Sequence, residues 1–238
     1  ALAVALNADE CQIYTDVDGI FTTDPRVCSK ARLLKEVSFE EMLELSSSGA
    51  KVLQLRSVEY ASKFNLPIRV LSSFNEGNGT LVQEEKNIME RPIVSGISSI
   101  DTEAKLTIRG VPDVPGIAAK ILSPISEAGI EVDVIVQNIS ADNCTDFTFT
   151  VDKGDAENAK EILQKTSVSL GGGLVEVDHD IAKISVVGRG MRAHAGVASK
   201  MFQALAKDEI NISMITTSEI KISVVIKESE MKLSLIHI

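Results

Sequence analysis

The feature that most constrains the fold of this chain is an internal repeat with a spacing of about 80 residues. Gly116 and Gly196 hold the same place in the two copies, as do Ile130 and Ile210. Each copy predicts a strand, a helix that begins at the glycine, and two further strands. The copies read KLTIRG with GIAAKILSPISEAGIEVDVIVQNIS, and KISVVG with GVASKMFQALAKDEINISMITTSE.

The first copy continues into elements that complete a module. A predicted helix over 156–165 and a strand over 173–178 follow it, which gives the order βαββαβ of a ferredoxin-like fold. Two such modules in tandem are expected to pack sheet edge to sheet edge, because each has an edge strand to cover. We predict a first module over 93–180, whose leading strand is assignable to either module, and a second, truncated module over 181–238.

Residues 1–82 alternate between helical and strand patterns and predict an α/β domain. Ser38 followed by Glu41 has the spacing of a capping box, which indicates a helix start. A charged segment at 83–92 that ends in proline predicts a linker. The other expected elements are the end of a helix at 1–7, strands at 11–15 and 68–72, a helix at 51–64 and a loop at 75–79.

Charge and cysteine content exclude several classes of function. A net charge of -10 and a pI near 4.9 argue against nucleic acid or an anionic membrane as a partner, because both would repel the chain. The 3 cysteines stand at unrelated spacings, so they predict neither a metal site nor a disulfide framework. They suit a reducing compartment, and we expect a cytoplasmic protein. His179 and His194 also lack metal-ligand spacing.

The first candidate site is the segment TDVDGIFTTDPR at 15–26. Asp16 follows a predicted strand, and ligands of open α/β sheets lie beyond the carboxyl ends of strands. Gly19 lets the backbone approach a ligand closely, and Arg26 offers a planar fork suited to phosphate. Taken alone, these residues are more typical of a structured loop without a ligand than of a binding site.

The second candidate site is the start of the helix in the first repeat, DVPGIA at 113–118. Free backbone N–H groups at a helix start bind a carboxylate, and Asp113 offers a partner for an α-ammonium group. Gln137, at the end of the following strand, is placed to reach the side chain of a bound amino acid. The alternative is structural, with Asp113 serving only to cap the helix.

The first segment closely resembles the nucleotide-binding loop of the amino-acid kinase family, in its aspartokinase branch. FEEMLEL at 39–45 and GAKV at 49–52 extend the resemblance, and the two repeats resemble ACT domains, which are regulatory modules that bind amino acids. The resemblance covers residues 1–232 and implies a C-terminal part of an amino-acid kinase α/β domain followed by two ferredoxin-like ACT domains. It implies an ATP site lined by Thr15, Asp16, Phe21, Arg26, Lys51 and Val52, with Phe21 in place of the family's usual tyrosine.

The same resemblance implies the reaction of ATP with L-aspartate to give ADP and 4-phospho-L-aspartate, the first step towards lysine, threonine and methionine. Mg²⁺ would bind through the phosphates of ATP, and the ACT domains would join copies into a dimer or a larger oligomer. Threonine, lysine or both would act as feedback effectors. The effector site implied by the family consists of Asp113, Gly116, Ala118, Gln137, Asn211 and Ile212.

Two substrate loops of the family are absent from this sequence, one of the Lys-Phe-Gly-Gly type and one of the Arg-Gly-Gly-Ser-Asp-Thr type. They would supply groups that stabilise the transferring phosphoryl charge, so we expect this chain by itself to lack kinase activity. The alternative is a non-catalytic regulatory subunit of aspartokinase, made from an internal start such as Met89. The ATP loop in residues 1–82 argues against it, and the tandem ACT modules argue against a glutamate or carbamate kinase.

The last six residues, LSLIHI at 233–238, depart from the amphipathic helix with which the family continues. The codons CTG TCT CTT ATA CAC ATC would encode them and resemble a transposase sequencing adapter. We therefore expect this hexapeptide not to be native and the second module to lack a helix over its sheet. The alternative is a short natural strand, because Leu and Ile alternate with polar residues.

Overall fold

The chain has an α/β fold with two compact units. The larger unit is made of Ala1–Ile100 together with Lys183–Ile238, and the smaller unit is Asp101–Ala182. Within the described residues, none of the helices has the length and apolar character needed to cross a membrane. The structure, a computed structural model, describes residues 1–87, 93–139, 144–171, 173–189 and 196–238.

The amino-terminal part of the larger unit is a four-stranded sheet with helices. Its elements are α1 (Leu2–Ala5), β1 (Cys11–Thr15), β2 (Glu36–Ser38), α2 (Phe39–Ser47), α3 (Leu55–Lys63), β3 (Ile68–Ser72) and β4 (Thr80–Gln83). The strand order is β1-β3-β4-β2. β1 runs parallel to β3, while β4 is antiparallel to β3 and parallel to β2.

Helix α2 begins at the capping box that the sequence predicts. Glu41 N donates to Ser38 Oγ at 3.2 Å, and Ser38 N donates to Glu41 Oε2 at 3.0 Å. One face of the helix packs into the core through Phe39, Met42 and Leu45, which are at most 4% exposed. The next helix is shorter than the predicted 51–64, because the chain leaves α2 at Gly49 with φ +104° and stays irregular up to Leu55.

Strands β2 and β4 were not predicted, and β4 lies where we expected a loop to give way to a linker. Both are only three or four residues long, too short for a clear alternation of apolar and polar side chains. Gly79, with φ +57°, starts β4 so close to β3 that a Cβ there would lie 1.9 Å from Val70 O. Tertiary pairing rather than local sequence therefore defines these strands.

The smaller unit is one ferredoxin-like module. Its elements are β6 (Glu103–Pro112), α4 (Ile117–Glu127), β7 (Ile135–Ile139), β8 (Cys144–Asp152), α5 (Ala156–Leu170) and β9 (Val175–Asp178), and they follow a strand β5 (Gly96–Ile100) that belongs to the larger unit. The strand order is β7-β8-β6-β9. Ile117, Ile121 and Ile125, four residues apart on α4, bury one helix face against Phe147 and Phe149 of β8.

The second sheet of the larger unit repeats this arrangement with one strand taken from elsewhere in the chain. Its further elements are β10 (Ile181–Val187), α6 (Val197–Lys207), β11 (Met214–Thr217), β12 (Lys221–Lys227) and α7 (Met231–His237). The strand order is β11-β12-β10-β5, and β5 pairs antiparallel with β10. Strand β5, which precedes the first repeat in sequence, therefore completes the sheet of the second repeat.

The carboxyl-terminal residues form helix α7, which differs from our expectation of a missing helix and from the alternative of a strand. Leu235 is 4% exposed, and the helix contacts α6 and β5. Met231 and Leu235 are four residues apart, so a helix places them on one face. Ser234 Oγ donates to Glu230 O at 2.9 Å and satisfies the buried hydroxyl.

Candidate functional site

The loop after β1 lies where the carboxyl ends of two parallel strands meet. Thr15 ends β1, and its carbonyl accepts from Ser73 N at 2.8 Å, just beyond the end of β3. Thr15 Oγ1 donates to Asp16 Oδ1 at 3.1 Å. Asn75 Nδ2 donates to Asp18 Oδ1 at 2.8 Å, which joins the two loops by their side chains. This edge is where open α/β sheets bind ligands.

Gly19 and Thr80 anchor the middle of this loop. Gly19 has φ +149°, and a Cβ there would lie 2.6 Å from Thr80 Oγ1, so the close approach requires glycine. Thr80 Oγ1 accepts from Ile20 N at 2.8 Å and donates to Leu34 O at 2.6 Å. The strand β4, which the sequence does not predict, thus anchors the candidate loop through the fully buried hydroxyl of Thr80.

Arg26 lies at the far end of the loop with its side chain 77% exposed. Its Nε is 3.3 Å from Asp24 Oδ1, and its backbone N donates to the same oxygen at 2.8 Å. Phe21 is half-buried and pairs its backbone with Leu33. A guanidinium that contacts only part of one exposed carboxylate keeps donors for an anionic ligand.

The predicted nucleotide residues lie on different segments of the chain. Thr15 is hydrogen-bonded to Ser73 beyond β3 and to Asp16, whereas Lys51 and Val52 lie in the connection between α2 and α3, with Lys51 exposed. Sequence reasoning missed Ser72 and Asn75, which share the edge with Asp16. Ser72 Oγ accepts from Asn75 N at 3.2 Å. The sequence does contain a signal for these two residues. Residues 68–72 predict a strand, and ligands of open α/β sheets bind beyond the carboxyl ends of strands.

An ion pair fixes the opposite end of the β1–β3 pair. Arg69 of β3 donates to Glu10 through Nε at 2.9 Å and through Nη2 at 2.8 Å. Both side chains are about three-quarters buried, at 27% and 24% exposed. The hydrogen bond from Arg69 lowers the pKa of Glu10, and the same contact raises the pKa of Arg69. The bidentate geometry holds the register of the two strands that carry the candidate loop.

The second candidate site begins at the start of α4 in the smaller unit, where Ile117 N donates to Val114 O at 3.1 Å. Gly116 is the N-cap residue with φ +88°, and glycine has no side chain to accept a cap hydrogen bond. Asp113 is exposed three residues earlier and no side-chain hydrogen bond caps the helix, so the alternative in which Asp113 is the cap is wrong. Ala118 is half-buried against the core. The first N–H groups of α4 are therefore not capped by the predicted residue.

The remaining effector residues lie on an edge strand and in the other unit. Gln137 is exposed on β7, the edge of its sheet, and pairs with Phe147 of β8. Asn211 is exposed and Ile212 half-buried immediately before β11, which belongs to the larger unit. The equivalent isoleucines Ile130 and Ile210 are each 5% exposed, so the two repeats bury the same position.

Other predicted features lie outside the described residues. His194, the histidine before the helix of the second repeat, is one of them, and Met89, the expected internal start, is another. His179 is exposed, with Nε2 at 3.4 Å from Glu157 Oε1.

Three family models match the chain in the order in which its motifs occur. The amino acid kinase family matches residues 1–72, and ACT domain models match 106–167 and 184–238. An aspartokinase of Pseudomonas aeruginosa is 62% identical over 236 residues, which are 98% of this chain. The chain belongs to the aspartokinase family. It spans 57% of the length of that aspartokinase.

Solved structures of the aspartokinase family have the same fold. Aspartokinase III of E. coli in complex with aspartate and ADP is 27% identical with a TM-score of 0.85, covering 99% of this chain and 53% of that one. The same enzyme in complex with lysine and aspartate has a TM-score of 0.76, with 98% and 52% covered. The regulatory subunit of aspartate kinase from Thermus thermophilus is 39% identical with a TM-score of 0.58, covering 60% of this chain and 95% of that one.

Proposed function

We propose that this chain supplies the nucleotide-binding loop and the amino-acid-sensing modules of an aspartokinase. The observation that carries the proposal is the TDVDGIFTTDPR loop at 15–26, which lies where the carboxyl ends of β1 and β3 meet, in a chain 62% identical to an aspartokinase. The whole protein would transfer the γ-phosphoryl group of ATP to the β-carboxylate of L-aspartate. An oxygen–phosphorus bond to the carboxylate forms, the bond to the β-phosphate oxygen breaks, and ADP leaves.

The proposed nucleotide site uses the residues already placed on the fold. Arg26 would donate to phosphate oxygens, Asp16 and Thr15 would border the ligand at the sheet edge, and Gly19 would allow its close approach. Phe21, Lys51 and Val52 complete the proposed set. The ADP complex of the E. coli enzyme supports a nucleotide in this family. We assign no side chain of this chain to Mg²⁺, which would bind through the phosphates.

The proposed effector site takes an α-amino acid at the start of α4. The N–H groups of that helix would bind the ligand carboxylate, while Asp113 would accept from the ammonium group. Gln137 would bind the ligand side chain, and Gly116 and Ala118 belong to the same proposed set. Asn211 and Ile212, of the larger unit, are its two further members. The lysine complex of the E. coli enzyme supports lysine as a ligand, and threonine is the other candidate effector.

A second candidate function is that of a regulatory subunit without catalysis. The observation in its favour is that the Thermus regulatory subunit is covered to 95% by this chain at 39% identity. The match of residues 1–72 to the amino acid kinase family favours the first proposal, since a purely regulatory chain has no use for a nucleotide loop. In either role we propose a cytoplasmic protein that assembles through its ACT modules into a dimer or a larger oligomer.

A titration with MgADP tests the nucleotide site. Arg26→Ala should weaken binding by about 1–3 kcal/mol, the contribution of a charge-assisted hydrogen bond, whereas Arg56→Ala, on the exposed side of α3, is the matched control. Failure of the unmodified chain to bind MgADP, or equal effects of the two substitutions, would contradict the proposal.

A coupled hydroxamate assay separates the two parts of the proposal. The chain should form no aspartyl phosphate above background even if it binds MgADP, because it lacks both substrate loops of the family. Turnover clearly above background would contradict the expected inactivity, while leaving the nucleotide site in place.

A further inference from the structure

The candidate nucleotide loop is hydrogen-bonded to the sheet of the second repeat. Ile97 N, on strand β5, donates to Thr22 O at 2.7 Å, one residue beyond Phe21. Thr22 is held in turn by Arg32, whose backbone N donates to Thr22 Oγ1 at 3.1 Å. Because β5 pairs with β10, this bond links the sheet of the second repeat to the backbone of the loop.

The neighbouring glycine shows how closely the strand approaches this segment. A Cβ on Gly96 would lie 3.1 Å from Leu45 Cδ2 and 3.3 Å from Thr22 O. Gly49, just after α2, also lies close to β5, because a Cβ there would lie 2.2 Å from Ser99 O. The backbones of β5, α2 and the loop are therefore packed without room for a side chain between them.

Glu41 joins the same elements through a buried carboxylate. Its Oε2 accepts from Ser38 N and Ser38 Oγ at 3.0 and 2.9 Å, and its Oε1 accepts from Ser95 Oγ at 2.5 Å. Glu41 is 8% exposed and Ser95 3%. One oxygen thus caps helix α2, while the other reaches the residue directly before β5.

Two further contacts extend this connection. Ser95 N donates to Val187 O at 2.8 Å, and Val187, fully buried at the end of β10, packs in the same hydrophobic cluster as Met42 of α2. Lys221 Nζ of β12 lies 2.7 Å from Glu44 Oε2 of α2, with both side chains about three-quarters buried. The buried Glu41–Ser95 hydrogen bond is therefore one part of a larger contact between α2 and the sheet of the second repeat, which also includes the Lys221–Glu44 ion pair.

We propose that Glu41 is a positioning residue for nucleotide binding: through Ser95 and strand β5 it holds the backbone of Thr22, and so couples the sheet of the second repeat to the loop at 15–26. The proposal rests on the proposed nucleotide function of that loop. A capping glutamate needs only Ser38 to perform its local role. The second carboxylate oxygen, aimed at Ser95, is the feature that capping leaves unexplained.

Two serine variants of the 238-residue chain separate the two roles of Glu41. Ser95→Ala removes the hydrogen bond to the sheet and keeps the helix cap, whereas Ser38→Ala removes the cap and keeps the bond to the sheet. Amide hydrogen exchange is followed at Ile97 and in residues 16–26, and MgADP affinity is measured by titration. Gly96→Ala, which presses on Thr22 O and Leu45 without removing a hydrogen bond, provides a second way to disturb the connection.

We expect Ser95→Ala to raise exchange at Ile97 and in the loop about tenfold and to weaken MgADP binding several-fold, the size of one lost hydrogen bond. Gly96→Ala should change the same amides, while Ser38→Ala should raise exchange only in the first turn of α2. Unchanged exchange at Ile97 in Ser95→Ala, or equal effects of both serine variants on the loop, would overturn the proposal. If the unmodified chain does not bind MgADP, the proposed function fails, and the exchange data alone decide whether Glu41 positions the loop.

Discussion

The two repeats have the same strand order but differ in where the fourth strand comes from. In the first repeat, β9 follows α5 and pairs with β6, so the module is continuous in sequence. In the second, the equivalent place beside β10 is taken by β5, which stands before the first repeat. The two copies of the repeat are therefore not equivalent units. The first repeat lies in sequence between β5 and β10, the two paired strands of the second repeat's sheet.

This difference gives the two repeats different surroundings. The core of the first repeat is built from residues between Ala104 and Val175. The second repeat shares a core with residues 1–72, the kinase-like segment, since Val187 packs with residues of α2, α3 and β3. The described core of the first repeat thus comes from its own residues, while the second repeat is connected to the candidate nucleotide loop.

The largest expected effects come from cavities at equivalent helix positions in the two repeats. Ile121 in α4 is fully buried, and Met201 in α6 is 3% exposed. Replacing either by Ala should destabilise its unit by about 2–5 kcal/mol, through lost burial and a residual cavity. Hydrogen exchange should locate the loss within 101–182 for Ile121→Ala, and in both 1–100 and 183–238 for Met201→Ala.

The spread of these effects is the decisive observation. If Met201→Ala leaves residues 36–64 as protected as before, the second repeat folds independently of the kinase-like segment. The contrast between the two repeats would then be wrong.

A smaller effect is expected from the Glu10–Arg69 ion pair, at the end of the β1–β3 pair opposite the candidate loop. Glu10→Gln should cost about 1.5 kcal/mol at neutral pH, because it weakens a charge-assisted bidentate contact. Since Arg69 lowers the pKa of Glu10, the stabilisation is fully present above the usual pKa of a glutamate and is lost as the pH falls through the lowered value. Unfolding measured against pH should show the two proteins converging in acid; a constant difference would contradict this account.

The smallest effect is expected for the corresponding ion pair of the smaller unit. Arg109 and Glu176 join β6 to β9 at 2.9 Å, but their side chains are 55% and 43% exposed. The hydrogen bond from Arg109 lowers the pKa of Glu176, yet solvent screens such a contact. Glu176→Gln should lower Tm less than Glu10→Gln does. The Tm difference between Glu176→Gln and the unmodified chain should vanish in about 1 M salt. A larger shift than that of Glu10→Gln would reverse the comparison.

Local signals in the sequence predicted much of this fold. Ser38 and Glu41 located the start of α2, because a capping box depends on residues only three apart. Gly116 and Gly196 located the starts of α4 and α6, where the left-handed conformation favours glycine. The strand at Ile68–Ser72 was predicted with its observed bounds.

Contacts between distant segments were beyond the same reasoning. Thr80 anchors Ile20 across 60 residues, and Ser95 reaches Glu41 across 54, so neither partner carries a local signal. Strand β5 reads as a strand, but only pairing with β10 assigns it to the second repeat. The predicted nucleotide and effector residues came from motifs, and their roles stay predictions. The ligand edge beside Asn75 required the parallel pairing of β1 with β3.

The measurement that tests the account most directly is calorimetry of amino-acid binding with equivalent substitutions in the two repeats. Gln137 on β7 corresponds to Thr217 on β11, and both are exposed. If the first repeat senses the effector, Gln137→Ala should weaken binding of lysine or threonine by about 1–3 kcal/mol, the cost of an unsatisfied polar partner, while Thr217→Ala should leave it unchanged. Unchanged affinity for both amino acids in Gln137→Ala, or equal losses in the two variants, would contradict the division of roles between the repeats.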